Sequence, residues 1–205
     1  VDYTVINTAG SVRFENEIGK KYTFQTMDNS TNFIWKIFDQ TSSDDKKNVQ
    51  KVSLFIDDMD GVAYTSNDEI HYSARYIENY NHSLDLKSEF TGILFHEMTH
   101  VWQWDGNGSN QTPGGLIEGI ADFVRLKAGW APGHWIKRGQ GDKWDDGYAV
   151  TAYFLEYCDG LKNGTFVAQL NKKMRYGFDN NYFKDLLDKM VDGLWKEYKA
   201  KYSHA

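Results

Sequence analysis

A single cysteine, Cys158, stands in 205 residues, so no disulfide can form within the chain and a disulfide-stapled scaffold is excluded. Oxidising surroundings remain compatible with that. Set among apolar residues at helical spacing, the thiol reads as buried rather than as a nucleophile. Apolar runs are short as well. None approaches the ~20 residues that a membrane-spanning helix needs. Positive charge is outnumbered, with 23 Lys and Arg against 29 Asp and Glu for a net charge of −6. That balance argues against nucleic acid as a partner and leaves no basic face for an anionic membrane. Repeats, linkers and low-complexity segments are missing, and the glycine-rich stretch 139–146 has no phosphate-cradle pattern and no lysine at the offset such a cradle requires.

What the chain has in excess is aromatic side chains, at 16%. They predict core and cleft lining. The length suits one domain with an ample core, expected as an α+β fold with a sheet-containing upper lobe over 1–105 and a helical lower lobe over 106–205. Residues 3–14 read as one or two short strands punctuated by Gly10. From 18 to 38 the pattern is helical, with an interruption at Asp28-Asn29-Ser30 and with Phe33, Ile34, Ile37 and Phe38 facing inward. Residues 51–57 make a strand, Asp58-Met59-Asp60-Gly61 a turn, 62–65 a returning strand, and 69–77 another strand leading into the next helix. Asp57, Asp58 and Asp60 crowd that turn, but no downstream bidentate Glu follows at calcium-loop spacing. Later helices are expected at 114–129, 148–157 and 166–174, with one long helix over 183–202 whose stripe is Phe183, Leu186, Leu187, Met190, Val191, Leu194, Trp195 and Tyr198.

The chemistry concentrates in Phe95-His96-Glu97-Met98-Thr99-His100-Val101. On a helix, positions four apart share a face, so His96 and His100 can offer two imidazole nitrogens to one ion. Glu97 falls beside the ion rather than on it, placed to activate a water. Ile93, Leu94, Met98, Val101 and Trp102 form an apolar stripe, and Asp105-Gly106-Asn107-Gly108 ends the segment.

Two imidazoles do not complete a catalytic zinc site, which takes three protein ligands and one open position. A second helical pattern opened by Pro113 carries Glu118 and Asp122, again four apart. One can coordinate while the other accepts the free ring N–H of a liganding histidine. Gly119 between them predicts close approach of a neighbouring helix. His71, His82 and His204 read as surface histidines, and His134, in the aromatic loop 130–135, as a loop histidine that serves neither the metal nor an oxyanion.

The motif with its downstream Glu and an Asp four residues later resembles the gluzincin peptidases. The wider sequence is similar to the plant basic secretory protein family, through Gly61-Val62-Ala63-Tyr64-Thr65-Ser66, His96 through Trp104, Gly114 through Gly129, the run from Trp144 to Ala152, and Leu194-Trp195-Lys196-Glu197-Tyr198-Lys199. That resemblance implies a zincin-like fold and a secreted, zinc-dependent peptidase associated with defence against microbes. It also implies a tyrosine or histidine that donates to the oxyanion, for which Tyr148 is the candidate with Tyr153 behind it. A strand bordering the cleft would pair with extended substrate, and 69–77 is the expected one. The family is called basic and this chain is acidic, a departure that bears on any charge-driven partner.

The expected activity therefore has His96, His100 and Glu118 holding Zn2+, Glu97 as general base, Asp122 behind the ligands and Tyr148 at the oxyanion, acting on a peptide or protein substrate. The rival expectations are a secreted carbohydrate- or wall-binding glycoprotein, or a zinc enzyme acting on another amide. A start at Val1 without methionine suggests a processed, exported product, extracellular and in a plant apoplastic or wall-bound. Asn29, Asn81, Asn107, Asn110 and Asn163 each begin an Asn-x-Ser/Thr glycan acceptor. A monomer is expected.

Overall fold

Val52, Leu54 and Ile56, alternate residues of β2 (Lys51–Asp57), are fully buried, the period of a strand with one face on a core. A computed structural model describes residues 1–203 of the chain. It places β2 inside a four-stranded sheet with β1 (Asp2–Ile6), β3 (Ala63–Ser66) and β4 (Glu69–Ser73), in the order β1-β2-β4-β3. The pairs β1/β2 and β2/β4 are parallel, and only β3 runs antiparallel, with Thr65 opposite Ile70 on β4. The α+β class is as expected from sequence.

Several boundaries differ from the expectation, each for a local reason. Residues 12–14 are helical, not strand. The Ser11 hydroxyl accepts the Phe14 N–H and starts α1 (Val12–Glu17). Helix α2 (Lys20–Ile37) runs unbroken through Asp28-Asn29-Ser30. The Ser30 and Thr31 hydroxyls both donate to the Met27 carbonyl, so these polar groups are absorbed by the helix instead of ending it. The strand expected over 69–77 stops at Ser73, whose hydroxyl accepts the Tyr76 N–H to cap α3 (Ala74–Asn79). It therefore does not lead directly into the histidine helix. It is also paired on both sides, so the expectation that its edge receives substrate fails; the strands with an unpaired edge among the described residues are β1 and β3, and of these β3 is the one that touches Glu97 of the histidine helix, through Thr65.

The aspartate turn is an ordinary one, as expected. Arg75 pairs with Asp58 and Asp60, each at 2.7 Å, and its hydrogen bond holds the Asp58 carboxyl below the usual range. His71 is not a free surface group. Its ring stacks between Phe55 and Tyr64, with Nδ1 at 2.6 Å from Asp57. His82 is exposed as expected, the loop histidine His134 is exposed too, and His204 lies outside the described residues.

The chain divides into two compact units, residues 1–35 with 40–102, and residues 36–39 with 103–205. In the first, α4 (Leu86–Trp102) is the central element. The expected single apolar stripe understates it, since every residue from Glu89 to Thr99 is buried. Phe90 meets Phe14 and Tyr72, Phe95 meets Phe33, and Trp102 meets Trp35 edge-on at 5.1 Å. A helix enclosed on all sides holds its side chains in fixed rotamers.

The second unit consists of α5 (Gly114–Lys127), α6 (Tyr148–Leu161), α7 (Phe166–Lys173), α8 (Asn181–Leu187) and α9 (Val191–Tyr202). The single helix expected over 183–202 is two. Asp188, in the left-handed conformation at φ 60°, ends α8, and Met190 is exposed instead of joining the stripe. Phe154 on α6 gathers Trp144, Phe183, Trp195 and Tyr198 around it. Burial pushes the Tyr198 phenol up to about 12, and its oxygen accepts the Gly139 N–H. Cys158 is fully buried and its thiol is raised well above the usual value by that burial, which leaves it unreactive.

Gly119 meets its expected use. A methyl added there would overlap the Thr151 side chain of α6. Thr151 cannot easily yield, because its hydroxyl donates to the Trp144 carbonyl and accepts the Gly147 N–H. Overpacking of this kind costs about 1–3 kcal/mol, and the better helix propensity of alanine returns at most about 1 kcal/mol. Gly119→Ala is therefore expected to lower stability by about 1–2 kcal/mol, read as a reduced urea midpoint with unchanged slope.

Candidate metal centre

The geometry of the histidine helix is set at its start. Asp85 precedes α4 and accepts the Ser88 hydroxyl at 2.7 Å and the Ser88 N–H at 3.0 Å, bonds that hold its carboxyl below the usual range. From there the helix runs without a break, so His96 and His100 fall one turn apart on one face. Their Nε2 atoms are 3.1 Å apart, with the rings nearly perpendicular at 85°. Two zinc–nitrogen bonds of about 2.0–2.1 Å at a tetrahedral angle put their nitrogens ~3.3 Å apart, so this pair fits a shared ion.

Glu97 lies beside the pair. Its Oε2 is 3.8 Å from His96 Nε2, and the donor atoms of His96, Glu97 and His100 all lie within 4.8 Å of one another. His96 and Glu97 are 7% and 5% exposed, so the carboxylate faces little bulk water. The other oxygen, Oε1, accepts the Thr65 hydroxyl at 2.9 Å. Thr65 sits on β3, 32 residues away in sequence. No spacing rule finds such a partner. Its only trace in the sequence is that it falls in the Gly61–Ser66 run of the family resemblance.

The other expected site residues belong to the second unit. Glu118 and Asp122 lie four apart on α5, Glu118 partly exposed and Asp122 only 4% exposed. A Cβ at Gly147 would stand 3.3 Å from the Gly115 Cα and 3.9 Å from the Glu118 Cβ. That close passage brings the start of α6, and with it Tyr148, beside Glu118. Tyr148 is 57% exposed and takes φ 49°, a left-handed conformation uncommon for a residue with a ring. Tyr153 is buried, its ring edge-on to Trp135 and covered by the Arg138 guanidinium. A packed phenol of that kind is less available than Tyr148. The structure thus assembles His96, Glu97 and His100 in one unit, and Glu118, Asp122 and Tyr148 in the other.

Two imidazoles and a carboxylate on one buried helix make a group that could hold a metal ion. The chain belongs to the BSP family, described as "Peptidase of plants and bacteria", which matches residues 1–198. It is also similar to a "Basic secretory protease" of Boswellia serrata, 42% identical over 60 residues that make up 29% of this chain and 67% of that relative. No solved structure matches the chain. The resemblance to the basic secretory protein family drawn from sequence is borne out, and with it the peptidase class. Among the described residues no helix is long and apolar enough to cross a membrane.

Proposed function

We propose that this protein is a secreted, zinc-dependent peptidase with a zincin-like fold, in which His96, His100 and Glu118 hold the ion. The observation that carries the proposal is the 3.1 Å approach of the His96 and His100 Nε2 atoms with the Glu97 carboxylate next to them. Zinc in such a site supplies Lewis-acid polarisation of the scissile carbonyl and makes a water acidic near neutral pH. Glu97 takes a proton from the attacking water and returns it to the leaving amine. Tyr148 donates its phenol O–H to the carbonyl oxygen as charge develops, a role supported by its exposure and its strained backbone. Asp122 accepts a ring N–H of a liganding histidine and fixes its tautomer.

Substrate pairs with the open edge of β3, whose backbone groups accept an extended peptide with little regard to sequence. The association with defence rests on the family resemblance. Secretion is supported by the name of the Boswellia relative and by exposed glycan acceptors. Asn81, Asn107, Asn110 and Asn163 are exposed outside helices and suit glycan attachment, whereas Asn29 lies within α2 with the Thr31 of its acceptor buried.

The test is a mixed peptide library incubated with the pure protein, its products read by mass. Cleavage that stops with a zinc chelator and returns with added Zn2+ is the expected result. Saturable glycan binding indifferent to chelator, with no cleavage, would replace the proposal by a carbohydrate-binding role. Chelator-sensitive turnover of non-peptide amides alone would keep the metal and change the substrate.

A further inference from the structure

A carboxylate that shuttles a proton has to be held still while it does so, since a free glutamate side chain spreads over many rotamers. We propose that Thr65 is the positioning residue for Glu97, orienting the carboxylate through a hydroxyl hydrogen bond delivered from the sheet. The proposal rests on the peptidase reading above.

The geometry divides the labour between the two carboxylate oxygens. Oε1 accepts the Thr65 hydroxyl at 2.9 Å, and Oε2 is directed to the histidine pair, 3.8 Å from His96 Nε2. The same hydroxyl also lies 3.1 Å from the Glu97 backbone carbonyl, so it bridges the side chain and main chain of one residue. A hydroxyl has a single proton, and an ionised carboxylate attracts it more strongly than a neutral carbonyl does. With Oε1 so engaged, the oxygen that remains to exchange protons is the one facing the imidazoles.

Thr65 is itself well held. Its β-branched side chain has few χ1 choices. Neighbouring residues of a strand point to opposite faces, so Tyr64 projects away from Glu97. There it stacks on His71 at 4.8 Å, with Phe55 on the far side of the imidazole and Asp57 on its Nδ1. A strand of four residues is thus tied down on one face by an aromatic stack and engages Glu97 with the other.

The experiment compares the wild-type protein with Thr65→Val, which keeps shape and loses the hydroxyl, and Thr65→Ser, which keeps the hydroxyl. Zinc content, thermal midpoint, kcat and KM are measured on one peptide that the wild type cleaves. Crystals of the metal-free proteins supply the rotamer of Glu97. The expected result is that Thr65→Val retains zinc and wild-type KM, loses about 10- to 100-fold in kcat, and shows Glu97 spread over more than one rotamer. Thr65→Ser recovers most of kcat and the single rotamer. A Thr65→Val protein with wild-type kcat and an unmoved carboxylate overturns the proposal, as does a Thr65→Ser protein as impaired as the valine variant. Should valine not fold, Thr65→Ala takes its place under the same criteria. A wild type without chelator-sensitive turnover defeats the peptidase reading, and the rotamers alone then decide whether Thr65 holds Glu97.

Discussion

Glu97→Gln is expected to keep its zinc and lose about 10²- to 10⁴-fold in kcat, the range that removal of a general base commonly costs. The substitution isolates one property of the side chain. Glutamine has nearly the volume of glutamate, and its Oε1 can still accept the Thr65 hydroxyl that Glu97 accepts at 2.9 Å. What it lacks is a lone pair basic enough to take a proton from water near neutral pH. Stability should not fall, because Glu97 is 5% exposed and the change removes a buried charge. The same variant separates two roles for the carboxylate, since Glu97 lies close enough to the imidazoles to be counted among possible ligands. As a ligand, its loss would lower zinc content in the purified protein. As a base, it would leave zinc content unchanged and abolish turnover. Elemental analysis beside single-turnover rates distinguishes them, and retained hydrolysis with full zinc would sink the assignment.

Legibility of the fold in the sequence followed the range of the signals. β2 was readable to the residue because alternate burial of Val52, Leu54 and Ile56 is written along the strand itself. For α5 the start was readable to the residue after Pro113, and the end, expected at Gly129, came two residues early at Lys127. Errors came where a single side chain outweighed the surrounding pattern. Ser11 turned a β-like Val-x-Phe into a helix, Ser73 cut β4 short, and Asp188 split the last stripe in two. Sheet order was beyond reach for a different reason. Parallel pairing of β1 with β2 joins Val5 to Leu54 without any local turn to announce it.

At the site, the residues that share one helix were legible and those joined through space were not. His96, Glu97 and His100 are fixed relative to one another by helical periodicity alone, and the structure adds only the distances. Gly119 was legible in the same way, as a glycine that a helix keeps only for close packing. Thr65 reaches Glu97 because β3 runs beside α4, and that neighbourhood is a product of the whole first unit. Tyr148 could be named from the family resemblance, but its left-handed backbone, held between Gly147 and the rest of α6, has no signature in the sequence.

The proposed zinc site takes Glu118 as its third ligand and Asp122 as support for a histidine, and substitution of each in turn tests that assignment. Glu118→Ala is expected to weaken zinc by more than about 100-fold, because loss of a supporting partner alone costs about 10- to 100-fold and a ligand contributes more than its support. The fold should survive, since Glu118 is partly exposed while α5 packs through Leu116, Gly119 and Ile120, and alanine is the best helix former. Asp122→Asn should fall inside the 10- to 100-fold band, because an asparagine carbonyl still accepts a ring N–H at reduced strength. Asp122 is also 4% exposed, so removing its charge changes stability as well, and zinc affinity must be read on protein shown to be folded. Competition with a chromogenic chelator gives both affinities in one titration. If Asp122→Asn is the weaker binder of the two, the roles on α5 are reversed. If neither variant loses zinc, two imidazoles are being completed by a group outside this helix, and Glu97, one of whose oxygens lies within 4.8 Å of both histidines, becomes the first candidate.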